Sequence, residues 1–82
     1  MREDVWAEHA KSLLEAELRR RNVGYRELAE RLTEMGAPDS ERNLANKISR
    51  GGFTAAFFLQ CMAAVGVKNL QLDELPKSVE SA

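Results

Sequence analysis

A single cysteine and a single histidine occur in these 82 residues. One thiol cannot close a disulfide within the chain, and one thiol with one imidazole cannot supply an all-Cys/His zinc site. No apolar run reaches membrane-spanning length, and the opening MREDVWAEH is acidic where a signal peptide would be basic and apolar. The expected location is therefore cytoplasmic, with no membrane partner. No glycine-rich phosphate loop follows a strand pattern, and no nucleophile stands beside a base, so neither an enzyme nor a small-molecule cofactor is expected. Internal repeats and low-complexity tracts are lacking as well. Charge of one sign is not in excess: the formal net charge is −1, which argues against a globally basic nucleic-acid coat.

With 44% hydrophobic and 30% charged residues, the composition is that of an ordinary soluble globular domain. The expected domain covers residues 1–75, and residues 76–82 read as a loose tail after Pro76. The charge is unevenly spread. From Arg42 to Leu72 there are four basic residues and no acidic one, whereas the rest has eight basic and thirteen acidic residues and carries −5. A basic face on an acidic body fits oriented docking to a polyanion or to an acidic protein.

Apolar spacing predicts four helices. The first runs from about Asp4, a suitable N-cap, to Arg21, with Trp6, Ala10, Leu13, Leu14 and Leu18 as its buried stripe. His9 lies near that face and, without Cys or His company, reads as packed or exposed rather than as a ligand. The Arg19-Arg20-Arg21 triplet falls in the last turn, where positive charge suits the helix dipole. Glu15–Arg19 and Glu17–Arg21 are spaced as ion pairs, so the triplet reads as structural. Asn22-Val23-Gly24 breaks the helix. The second helix, Tyr25 to Met35, should bury Tyr25, Leu28, Ala29, Leu32 and Met35, with Glu27–Arg31 paired outside. Gly36-Ala37-Pro38-Asp39 is a turn. The fourth helix, Ala55 to Val65, is capped by Thr54, stapled by Phe53 on Phe58 and stopped by Gly66. Its Phe57, Phe58, Leu59, Cys61, Met62 and Val65 leave hardly any polar face, which predicts a central element. Cys61 reads as a small core residue. Beyond Val67, the spacing of Leu70, Leu72 and Leu75 is open between a short extended segment and one helical turn. Trp6, Leu70, Leu72 and Leu75 are more apolar surface than two chain ends need, so a homodimer built from one or both termini is expected.

The third helix lies within Ser40–Phe53, SERNLANKISRGGF, capped by Asp39 or Ser40 and ended by a Gly-Gly stop. At 100° per residue, Leu44, Ala45 and Ile48 share the inward side. Ser49, Arg42, Asn46, Arg50, Asn43 and Lys47 follow one another round the opposite arc, with no carboxylate among them. Arg and Lys suit phosphate and guanine, and Asn suits the adenine edge. Arg42, Asn43 and Asn46, toward the helix start, are the candidates for bases. Lys47 and Arg50, toward its end, are the candidates for phosphate.

Leu28-Ala29 with Leu32, Ile48 with Arg50-Gly51, and Ala64-Val65-Gly66-Val67 closing an apolar helix resemble the lambda-repressor-like (XRE-type) helix-turn-helix domain over roughly Leu14–Leu75. The resemblance implies a compact all-α bundle of four to five helices. It also implies that helix two, through Tyr25 and Arg26, braces the phosphate backbone while helix three enters the major groove of double-stranded DNA, commonly as a pair on two half-sites. A bacterial transcriptional regulator is the function implied. Tyr25 stands where the family usually has Gln, Ser49 where it usually has Glu, and the stretch from Ala29 to Gly51 is longer than usual. The extra length is expected in TEMGAPDS, as a longer helix two or a looser turn. The whole sequence also looks like a family of short bacterial proteins described only as domains of unknown function. The alternative function is a protein-interaction module on the same fold, an adaptor or antitoxin-like partner.

Overall fold

In the computed structural model, which describes residues 2–70, helix α1 runs over Arg2–Arg20, α2 over Tyr25–Glu34, α3 over Glu41–Arg50 and α4 over Ala55–Ala64. The protein is an all-α four-helix bundle. Helices α3 and α4 each pack against both α1 and α2. Their shared core is Leu14 and Leu18 of α1, Leu28 and Leu32 of α2, Leu44 and Ile48 of α3, and Phe57, Cys61 and Met62 of α4, closed by Val23 and Val65. These positions recur every three or four residues on each helix, the spacing that puts side chains on one face.

Three helix ends use one device. Asn22, Gly36 and Gly66 take positive φ (58°, 85° and 84°). The following residues then donate back to the last turn: Val23 N–H to the Leu18 carbonyl, Ala37 N–H to Leu32 and Val67 N–H to Met62, each at 2.9 Å. A left-handed residue lets the chain fold over its own last turn, satisfying carbonyls that would otherwise be unpaired. The expected stops at Asn22 and Gly66 are of this kind. The α4 cap is as expected, and of the two candidates for α3 it is Ser40 that caps. Ser40 Oγ accepts from Asn43 N–H and Thr54 Oγ1 from Phe57 N–H, both at 3.0 Å. Phe53 and Phe58 stack with centroids 6.1 Å apart and planes 8° from parallel, which fixes the entry into α4.

Several expectations are corrected. The first helix starts at Arg2, so Asp4 lies inside its first turn and does not cap it. Trp6 is 37% exposed and Met35 47%, so neither belongs to the buried stripe of its helix. Helix α4 is not central: Leu59 is 64% exposed, and Ala55, Ala56, Gln60 and Ala63 are exposed with it. With neighbours on one side only, α4 buries Phe57, Cys61 and Met62 and leaves the rest of an apolar cylinder uncovered. The Glu15–Arg19 pair is not formed among the described residues. The expected Glu17–Arg21 pair is present at 3.3 Å, and Glu17 also takes Arg20 at 2.9 Å. Arg21 also donates to the Val65 carbonyl (3.4 Å), and Arg31, paired with Glu27 at 2.6 Å, donates to that of Ala64 (3.1 Å). Two arginines thus tie α1 and α2 to the end of α4. The expectations for Leu72, Leu75 and the 76–82 tail fall outside the described residues.

Candidate nucleic-acid interface

Helix α3 is held by its inner face. Leu44 and Ile48 are fully buried, and Ala45 is half-buried between them. That seating turns Arg42, Asn43, Asn46, Ser49 and Arg50 to solvent, and all five are exposed. Among the described residues, neither Arg42 nor Arg50 has an ion pair or a side-chain hydrogen bond. An unpaired guanidinium keeps its whole fork of donors for an incoming acceptor. The C-terminal end of the helix is fixed by Gly51 at φ 72°, where a Cβ would meet the Ala7 carbonyl oxygen of α1 at 3.3 Å. The positive φ and this crowding together favour glycine here, and through it α3 leans on α1.

Lys47 differs from its neighbours on the arc. Its Nζ donates to Asp39 at 2.8 Å and stands 4.8 Å from the centre of the Phe57 ring. The Lys47 ammonium, helped by hydrogen bonds from Asn43 and the Ser40 amide, holds the Asp39 carboxyl below the usual carboxylate range in spite of burial. Asp39 is the residue that sequence reasoning missed. It lies just outside α3 and eight residues before Lys47, a spacing that no helical i,i+4 rule flags. Of the four residues Arg42, Asn46, Lys47 and Arg50, the structure brings Arg42, Asn46 and Arg50 onto one open face at four-residue steps. Lys47 is engaged at its margin.

Helix α2 packs directly on α3, and Met35–Ser40 connect them. Of the TEMGAPDS stretch, Thr33 and Glu34 end α2 and the remaining six residues form the connection. Gly24 precedes α2 and offers its first turn no side-chain cap. Its leading amides are left for another acceptor, and a helix start with open amides suits an anion. Arg26 is exposed there. Tyr25 is half-buried, and burial together with the Glu15 carboxylate raises its phenol above the ordinary value, so it remains a neutral donor.

Elsewhere the chemistry is quiet. Cys61 is fully buried, and burial pushes its thiol up to about 11, so the nucleophilic thiolate is scarce at neutral pH. Among the described residues, no three His, Cys, Asp or Glu side chains are grouped to hold a metal ion. None of the described helices is long and apolar enough to cross a membrane.

What fold and surface define is a small four-helix domain that presents one polar helix outward. The family model described as "Domain of unknown function (DUF6471)" matches residues 6–70, and the chain belongs to that family. Comparison with curated proteins and with solved structures gave no match.

Proposed function

We propose that this protein is a helix-turn-helix DNA-binding protein of the lambda-repressor-like type, acting as a transcriptional regulator in a bacterial cytoplasm. The observation that carries the reading is the open Arg42–Asn46–Arg50 face on a helix seated by Leu44 and Ile48. In this reading Arg42, Asn43 and Asn46 approach base edges in the major groove. Arg50, with Tyr25, Arg26 and the uncapped start of α2, takes phosphates on either side. Lys47 contributes less than its position suggests, because Asp39 already neutralises it.

Alanine variants separate the roles. Arg50→Ala should weaken binding to all duplexes and reduce the salt slope by about one unit, since one phosphate contact releases roughly one counterion. Asn46→Ala should cost about 1–3 kcal/mol on a selected sequence and little on random duplex. Equal loss on selected and random duplex for Asn46→Ala would remove it from base reading.

A second reading is supported by a different surface. The uncovered side of α4, with Leu59, Ala55, Ala56 and Ala63 and no charged residue anywhere in the helix, suits a protein partner. A second copy of the chain, as expected for a palindromic site, would serve both readings.

A further inference from the structure

A lysine that faces a nucleic acid is open to two kinds of anion, the phosphates of the duplex and the carboxylates of its own protein. In α3 that competition is set up at Lys47. Its ammonium is held from two sides, by the Asp39 carboxylate at 2.8 Å and by the Phe57 ring, whose centre lies 4.8 Å away. Both anchors belong to the body of the domain. Phe57 is a core residue of α4, and the other carboxylate oxygen of Asp39 accepts the N–H of Ser40 at 3.0 Å. Asp39 is thereby fixed to the residue that caps α3, and it reaches back to a lysine two turns further on.

A passing phosphate does not divide this pair freely. The Asp39 side chain is 13% exposed and that of Lys47 43%. Drawing the ammonium outward would leave a carboxylate that its neighbours largely cover without its cation, and that loss offsets what the new contact gains. Arg42 and Arg50 carry no such partner among the described residues. Lys47 and Arg50 nevertheless border one recess, together with Gly51, Gly52 and Thr54. Released from Asp39, Lys47 would bring its charge to the end of the helix where Arg50 stands.

We propose that Asp39 is a built-in stand-in for a DNA phosphate: it occupies the Lys47 ammonium and keeps the number of phosphates that α3 engages one lower than its basic residues allow. The role rests on the DNA reading of α3 and deepens it. Phosphate contacts add affinity for every sequence alike, whereas Arg42, Asn43 and Asn46 are left to tell sequences apart. By withholding one sequence-independent contact, Asp39 limits how tightly the domain is held on unselected DNA.

Anisotropy of a labelled random duplex, titrated from about 50 to 200 mM salt, reads the phosphate count as the slope of log affinity on log salt. Asp39→Asn should steepen that slope by ~0.9 and tighten binding roughly fivefold to tenfold at about 0.1 M salt, the gain of one released counterion. Glu41→Gln removes the same charge from an exposed residue that is in no ion pair among the described residues. It frees no lysine and should steepen the slope by less than half as much. Adding Lys47→Gln to Asp39→Asn should abolish the gain. An unchanged slope in Asp39→Asn would overturn the proposal, and so would equal steepening by Glu41→Gln, which would show an effect of net charge alone. Should Asp39→Asn fail to fold by circular dichroism, Lys47→Gln alone decides. It should flatten the wild-type slope by much less than Arg50→Ala does; an equal flattening would mean that Lys47 already meets a phosphate, and the proposal fails. Wild-type protein that binds no duplex overturns the DNA reading and this role with it, whereas wild-type binding with any of the contrary slopes overturns the role alone.

Discussion

At the residue scale, burial separates side chains that composition makes look alike. Phe57 and Leu59 are both large apolar residues of α4, yet Phe57 is 8% exposed and Leu59 64%. Phe57→Ala should cost about 3–5 kcal/mol, much of the stability of a small domain. Leu59→Ala should stay within about 0.5 kcal/mol. Urea melts of the two variants check this, and equal losses would contradict the seating of α4. The Asp39–Lys47 pair has a pH signature. Because the folded state holds Asp39 below its unfolded value near 3.9, the pair stabilises above that pH. The contribution is lost as pH falls through the folded value. Lys47 is 43% exposed, so solvent screening keeps the effect to about 1 kcal/mol or less. Asp39→Asn should thus lower stability at pH 7 and narrow its distance from wild type below about pH 4. Denaturant melts at both pH values measure it, and a constant difference would show that the ion pair is not its cause.

At the scale of the element, α3 rests on its two ends. Ser40→Ala removes the acceptor for Asn43 N–H and should cost about 1 kcal/mol. Gly51→Ala should cost more, about 1–3 kcal/mol, since it adds a strained φ to a Cβ crowded against the Ala7 carbonyl. Thermal melts that ranked the two the other way would show that the α1–α3 approach is not tight. Caps and stops of this sort are legible in sequence because their physics is local: Ser40, Thr54, Asn22 and Gly66 each act within a turn of themselves. The buried faces of α2 and α3 were legible for a related reason, since polar residues mark the opposite side. Helix α4 was not, because an all-apolar helix has no periodic contrast and only its neighbours decide which side is covered. The Asp39–Lys47 pair was hidden too, as it depends on how the turn folds back on α3. The polar arc of α3 was read in full, while the engagement of one of its members was not.

At the scale of the whole molecule, the chain combines a cationic outward helix with an acidic body, and the described residues leave two apolar regions open among themselves. One is the groove between α1 and the start of α4, beneath Leu70; the other is the open side of α4. Paired subunits would suit a palindromic DNA site, and in place of the chain ends expected from the sequence we propose the uncharged side of α4 as the pairing surface. Sedimentation should then show dimer within hundreds of micromolar. Only monomer there would remove pairing without touching the DNA reading. That reading is tested most directly by fluorescence anisotropy of a labelled random duplex titrated with folded protein over a range of salt. The account predicts non-specific affinity of ~10⁻⁴–10⁻⁶ M at physiological salt. Binding should tighten as salt falls, with a logarithmic slope of ~−0.9 per phosphate engaged, and weaken when Arg42 and Arg50 are replaced by alanine. No binding at about a hundred micromolar protein in low salt, far above that range, would contradict it and leave protein docking as the function of this fold.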